Sequence, residues 1–392
     1  MDRSLRGRTA IVGVGQTPFY RHGQSPDAET QLTLKAILAA CRDAGISPAD
    51  IDGFSSFSDD RSNGARLAST LGCRELRYSN MVWGGGGGGV AAALANASAA
   101  VATGLAECVV VYRGLAQGQF GRLGRGPAKQ EVRGESAHTA PYGLMAGAQL
   151  FAMKMTRFMK LHDIQHSAMR AVALASYRHA QNNPSAMMYG KPLTEEKYDA
   201  ARWIVEPFRL YDCCQENDGA GALIVTAAER AKDFPHPPCF LLGAASGAPH
   251  RGAARVHNSP DYGGANFSTV APRLYAMAGV SAADIDVLQC YEHFTGGVVV
   301  AMIEHGFCTA EEANDFFTLE NFTAPDGRLP LNTSGGNLAE GYTHGISQLV
   351  EAVQQIRGAS TNQVPGAEIS MMVSGSWATP VSNCILGAET TL

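Results

Sequence analysis

Two distant stretches share one rhythm, and that constrains the fold more than any other feature. DAGISPADIDGFSSF (residues 43–57) returns as MAGVSAADIDVLQCYEHF (residues 277–294). Each reads as a helix end, a glycine turn, a short polar link and a buried strand. A second echo follows each of these. Six glycines at 84–89 open an alanine-rich helix that leads into CVVVYRG (108–114). Gly335–Gly336 reads as opening the matching helix, THGISQLVEAVQQIRG (343–358), which leads into EISMMVSG (368–375). Two echoes in the same order point to an internal duplication.

The strands TAIVGVG, CVVVYRG, GALIVTAA and EISMMVSG are continuously apolar rather than alternating, as expected of strands covered by helices on both faces. The expectation is therefore α/β, with two duplicated halves at 1–234 and 235–392. The segment from about 115 to 209 breaks the rhythm: a polar Gly/Arg-rich loop (117–135) precedes the helical patterns at 146–164 and 165–183. It reads as an inserted loop domain in the first half. A chain of 392 residues with 45% hydrophobic and 17% charged residues has ample material for buried cores. Its net charge of −5 argues against broad nucleic-acid binding, although Arg122, Arg125, Lys129 and Arg133 could form a local basic patch. Nine cysteines without a CxxC pair fit reduced thiols in a cytoplasm. No signal peptide or membrane span is legible, since the most apolar helix (90–101) is too short to cross a bilayer.

The glycine run satisfies GxGxxG at Gly84, Gly86 and Gly89, but a homopolymer satisfies any glycine pattern. A dinucleotide site needs an acidic residue ending the next strand, whereas Glu107 precedes it. No GK[ST] follows, so a Walker loop is excluded. Two readings stay open: a turn for close helix packing, or a helix N-terminus whose amides face a phosphate or an enolate oxygen.

VAAALANASAAVATGLAECVVVYRG (90–114) resembles the thiolase superfamily, in its sterol-carrier-protein type. There a nucleophilic cysteine opens this helix, and the family spacing places its slot at about Gly87. The Asn-Glu-Ala-Phe block matches YEHF with Tyr291 in the asparagine slot, and the Gly-His-Pro block matches GYTH with Tyr342 in the histidine slot. The late cysteine slot falls near Ser374 in VSGSWA. VEPFRLYDCCQENDGAGALIVTAAERA (205–231) is a further matching block. The resemblance implies a thiolase-like fold of five layers, αβαβα, a homodimer, and coenzyme A thioesters as ligands.

Thiolysis requires an activated thiolate to hold the acyl group. A retro-aldol cleavage does not: it needs a base for the β-hydroxyl, an acid for the enolate carbon and an oxyanion site. Tyr342 is expected as the base and Tyr291 as the acid, with the reverse assignment open. His293 and His344 would tune a tyrosine or touch substrate, and Gly86, Gly87, Gly88 and Gly336 would bind the oxyanion. YEHFT and EGYTHG resemble the lipid-transfer-protein-like aldolases that cleave steroid side-chain acyl-CoA to a ketone and propionyl-CoA or acetyl-CoA. That resemblance implies a hetero-oligomer with an OB-fold, zinc-ribbon partner, and no cofactor beyond the coenzyme A of the substrate. The rivals are a thiolase with a displaced nucleophile and a non-catalytic acyl-CoA-binding subunit.

Neighbouring groups limit other chemistries. The lysines, at 35, 129, 154, 160, 191, 197 and 232, lie outside the site motifs, which disfavours a Schiff base. No metal is expected, because Glu292 and His293 on a strand would point to opposite faces despite the nearby Glu340 and His344. Glu292 reads as a structural acceptor. Cys290 should face away from Tyr291, Cys213 and Cys214 read as core thiols, and His138 is open between an acyl-pocket role and the surface.

Overall fold

A computed structural model describes residues 4–120, 132–250, 252 and 261–392. The basic residues Arg122, Arg125 and Lys129 lie outside this set. Five strands come from the first part of the chain: β1 (Thr9–Gln16), β2 (Gly53–Ser58), β3 (Tyr78–Trp83), β4 (Cys108–Ala116) and β5 (Asn217–Ala227). They lie in the order β1-β5-β4-β2-β3. Four more follow: β6 (Cys239–Gly247), β7 (Val287–Cys290), β8 (Ile369–Val373) and β9 (Val381–Gly387), in the order β6-β9-β8-β7. Leu331 bridges Leu288 of β7 in the parallel sense, where β3 sits in the first set.

The senses of pairing match as well. β2 runs parallel to β4 and β7 parallel to β8, while β4–β5 and β8–β9 are antiparallel. The echoes in the sequence thus correspond to one repeated strand order. The two sets join where β1 meets β6, through Ala10↔Phe240 and Ile11↔Cys239.

Helices cover both faces. α1 (Glu29–Ala44) lies on β1, β4 and β5, burying Leu32, Ala36, Ile37 and Ala40. It approaches closely because β1 presents Gly13 and Gly15: a Cβ at Gly15 would lie 2.3 Å from the Ala40 amide. α2 (Val90–Ala102) carries no charge and packs on β2 and β4 as well as on β6 and β9. The segments 147–162 and 166–180 form α3 (Gly147–His162) and α4 (His166–Ala180), which pack against α6 (Thr295–Glu304). α5 (Ala271–Ala278) covers β6 and β9 from outside. α7 (Ile346–Arg357) touches β1 and β5 together with β7 and β8. With α2 and α7 between the two strand sets, the layering is αβαβα. A helix apolar all round, such as α2, belongs in that central layer.

One expected boundary moves. Gly335–Gly336 opens a π-turn (Gly336–Glu340) rather than α7. The helix starts three residues inside the expected 343–358 span, where His344 (φ 54°) and Gly345 (φ 84°) turn the chain left-handed. The glycine doublet marks a turn in its own right, and THG rather than GG sets the helix N-terminus.

Candidate active site

The glycine run forms a sharp turn. Gly84, Gly85 and Gly86 have φ of 76°, 74° and 51°, a conformation L side chains rarely adopt. Gly86–Gly89 then makes a short 3₁₀ turn into α2. The Gly88 amide donates to the Gly85 carbonyl at 2.8 Å, and the Gly88 carbonyl accepts from Ser382 Oγ at 2.6 Å. Ser374, in the late cysteine slot, extends this chain by pairing with Ser382 Oγ at 2.9 Å.

Gly87 is the informative position. A Cβ there would lie 2.2 Å from both Cε2 and Cζ of Tyr291 and 2.5 Å from its Oη. The space of a side chain in the empty cysteine slot is filled by the Tyr291 phenol.

Tyr291 Oη donates to Tyr342 Oη at 2.7 Å. The two phenols are 2% and 5% exposed, so they form a buried pair. Burial raises the pKa of both well above the ordinary phenol range, and for Tyr291 the neighbouring Tyr342 and Cys214 add to it. Both hydroxyls are therefore protonated at neutral pH. Tyr291 sits one residue past β7, its amide donating to Val373. Asn217 of β5 holds the Tyr342 backbone through its amide (2.6 Å) and carbonyl (3.3 Å).

His344 lies edge-on to Tyr342, with ring centroids 5.2 Å apart. Its Nδ1 accepts from Arg113 Nε at 3.2 Å. Burial and that guanidinium push His344 down to about 3. Arg113, 1% exposed, pairs with Asp59 at 3.0 Å and Asp60 at 3.1 Å. His293 packs against Phe151 (4.8 Å), Tyr291 (5.4 Å) and Trp377 (6.2 Å). Its buried Nδ1 has no partner among the described residues, and burial pushes it down to about 3.

The remaining expected residues fall as follows. Cys290 and Tyr291 enter different apolar clusters, so their side chains diverge. The strand ends at Cys290, so YEHF is a link into α6 rather than strand. Glu292 turns away from the phenols: it accepts from Leu338 N–H and from Gln348 Nε2 at 2.8 Å, and burial raises it to about 8. Gly336 abuts this carboxylate, since a Cβ there would lie 1.8 Å from Glu292 Oε1. His138 is exposed. Among the described residues no three His, Cys, Asp or Glu side chains group as metal ligands.

Sequence reasoning passed over Arg113 and its two aspartates. The signal was an arginine inside an apolar strand, with SDDR following the neighbouring strand β2. It also treated Cys214 as a plain core thiol, whereas Cys214 contributes to the electrostatics of both phenols. Burial raises that thiol well above its usual range.

The arrangement offers two protonated phenols in hydrogen-bond contact, two neutral imidazoles and two helix N-termini. α2 starts beside Gly87, and α7 starts beside Gly345, whose Cβ position is 3.0 Å from Tyr291. Helix starts favour developing negative charge. Such a set moves protons and stabilises an enolate.

The fold and site define a thiolase-like protein whose nucleophile slot is closed. The family described as thiolase C-terminal domain-like matches residues 249–388. The chain is 40% identical to the steroid side-chain-cleaving aldolase of Thermomonospora curvata, over 98% of this chain and 99% of that protein. It is 38% identical to the 17-hydroxy-3-oxo-4-pregnene-20-carboxyl-CoA lyase of Mycobacterium tuberculosis, over 98% and 100%. The solved Ltp2-ChsH2(DUF35) aldolase superposes with a TM-score of 0.90 at 38% identity, covering 99% of this chain and 100% of that one. Human mitochondrial 3-ketoacyl-CoA thiolase shares the fold, with a TM-score of 0.70 at 14% identity over 98% and 99%. The chain belongs to the thiolase superfamily, in the sterol-carrier-protein-type group that contains these side-chain-cleaving aldolases.

Proposed function

We infer that the protein cleaves a β-hydroxy acyl-CoA by a retro-aldol reaction, with a steroid side-chain thioester as substrate. The observation that carries this reading is the phenol pair seated in the space a nucleophilic thiol would need. In a 17-hydroxy steroid bearing the thioester on C20, the hydroxyl is β to the thioester carbonyl. Breaking C17–C20 gives a 17-ketone and propionyl-CoA.

Because both phenols are raised by burial, neither serves as a standing phenolate. They act instead as a relay. The substrate hydroxyl gives its proton to Tyr291 Oη as the Cα–Cβ bond breaks. Tyr291 passes its own proton to Tyr342, the acceptor of their hydrogen bond, and Tyr342 delivers one to the enolate carbon. Protons balance and no ionised phenol accumulates. His293, whose Nδ1 lacks a protein partner among the described residues, is placed to bind a polar group of the substrate. Phe151, Phe294 and Trp377 offer an apolar wall beside it. Gly86 and Gly87 supply backbone at the start of α2; the Gly88 amide is already bonded, which leaves it a structural part in this reading.

We extend the proposal to assembly, with halves at 1–234 and 235–392 and the insert at about 115–209. The edge strand β3 leaves Met81 and Trp83 exposed, Trp83 by 83%, and such an edge suits pairing with a second copy. The compound name of the solved Ltp2-ChsH2(DUF35) aldolase supports a second component, which we take to be an OB-fold, zinc-ribbon partner. Coenzyme A enters as part of the substrate. No helix among the described residues is long and apolar enough to cross a membrane. The free cysteines suit a reducing cytoplasm.

A displaced-nucleophile thiolase is the second reading, favoured by the packing of Cys214 against the apolar cluster that holds both phenols. One experiment separates them. Incubation with the 17-hydroxy C20 thioester, with and without the partner, should release the 17-ketone and propionyl-CoA with no acyl adduct on intact protein by mass spectrometry. An adduct on Cys214 during turnover refutes the aldolase reading.

A further inference from the structure

The geometry points to Arg113 as a positioning residue that fixes His344 as its neutral Nε2–H tautomer, making that ring a hydrogen-bond donor rather than a base. The role of the donor in cleavage rests on the reading above; the tautomer does not.

A guanidinium carries only donors and keeps its charge at any working pH. Arg113 Nε–H points at His344 Nδ1 over 3.2 Å, so Nδ1 must offer a lone pair. A neutral imidazole has a single ring proton, which is then on Nε2. Both partners are held rigidly. Arg113 is gripped by Asp59, by Asp60 and by the face of Phe57 at 5.9 Å. His344 is oriented by its left-handed backbone, with φ of 54° and Gly345 following at 84°.

Charge reinforces geometry. The groups facing His344 are Arg113 from β4, Asp59 and Arg61 from the segment after β2, His293 from the segment after β7, and Tyr342 beside it. Burial and Arg113 disfavour the imidazolium and outweigh Asp59, so the ring stays neutral through the physiological range. Burial works to raise the Asp59 carboxyl, but the opposing pull, led by Arg113, outweighs it and holds Asp59 below its usual value, so Asp59 stays anionic. A ring of this kind cannot take the proton of the substrate hydroxyl, because its one basic nitrogen is engaged. It can donate through Nε2 to an oxygen that gains charge as the enolate forms. A neutral donor of this sort stabilises the enolate without giving up its own proton.

The test uses full-length protein labelled with nitrogen-15 in its histidines, with the His344 signals assigned through His344→Gln. The expected wild-type result is a bare Nδ1 and a protonated Nε2 that do not titrate between about pH 5 and about pH 9. In Arg113→Gln the ring loses the guanidinium and its charge while Asp59 stays beside it, so it should titrate inside that window. The pH profile of kcat/KM should acquire a matching ionisation absent from the wild type. Asp60 is buried, so the single variant can fail to fold. Arg113→Gln/Asp60→Asn removes both charges and gives the same readout. Arg113→Lys should restore the charge but not the bare, non-titrating Nδ1, since an ammonium lacks the fork that spans three partners. A wild-type His344 protonated on Nδ1, or titrating within the window, overturns the proposal. So does a non-titrating ring in the glutamine variants. If the ring behaves as expected while the wild type cleaves no β-hydroxy thioester, the cleavage reading fails and the Arg113 assignment stands.

Discussion

Gly87→Ala is the sharpest perturbation of the site, because one methyl group asks whether the phenol must be where it is. The new Cβ would lie 2.2 Å from Tyr291 Cε2 and Cζ, and ordinary contact begins at 3.4 Å, so the ring must retreat by about 1.2 Å. The phenol–phenol hydrogen bond of 2.7 Å does not survive such a move. A displacement near 1 Å at reacting groups costs about a hundredfold in rate, which is about 2.7 kcal/mol in the barrier. Overpacking should lower stability by about 1–3 kcal/mol. The assay pairs kcat/KM on the β-hydroxy thioester with urea unfolding of the same preparation. A folded variant that turns over at the wild-type rate refutes the phenol relay. Gly87→Cys carries the same clash and should form no acyl-enzyme, whereas Gly87→Cys/Tyr291→Asn has room for the thiol.

Tyr291→Phe and Tyr342→Phe should each slow turnover by about a hundredfold or more, and the double variant should lose far less than the product, since both belong to one hydrogen bond. Additive losses in steady-state kinetics argue against a shared relay. Because the fold raises both phenols, the unfolded chain ionises first above about pH 10; stability should fall with rising pH there, less steeply in the double variant, as followed by circular dichroism. Glu292 gives the same sign lower down. Its folded carboxyl sits at about 8, against about 4.3 when unfolded, so its contribution is complete below the unfolded value and lost as pH rises through the folded one. Glu292→Gln should flatten the urea-unfolding midpoint between those limits, and an unchanged slope contradicts the assignment.

Much of this architecture is legible in the sequence because it rests on local patterns. Continuous apolar runs mark the buried strands, and the repeated GxSxADID rhythm matches a repeated strand order. Period-two alternation correctly separates Cys290 from Tyr291 even though the strand stops between them. What stays hidden depends on distant partners. Arg113 sits in a strand of valines, and its charge is balanced by Asp59 and Asp60, more than fifty residues earlier in the chain. No spacing rule links these residues. Cys214 reads as a core thiol because it precedes a buried strand, and only the packing of β5 beside the GYTH turn brings it to the phenols. The role of the Gly335–Gly336 doublet escapes the sequence because glycine doublets read as helix openings, while the left-handed pair that starts α7 is a histidine and a glycine.

The closed space at Gly87 also bears on how such a protein could arise and whether it could revert. A thiol at 87 and a phenol at 291 are alternative tenants of one volume, so no lineage could carry both at full size. Passage in either direction crosses an ancestor with glycine at 87 and a small residue at 291, which has neither tool. A return to sulfur chemistry at 87 therefore takes two substitutions, one to bring in the thiol and one to vacate the ring.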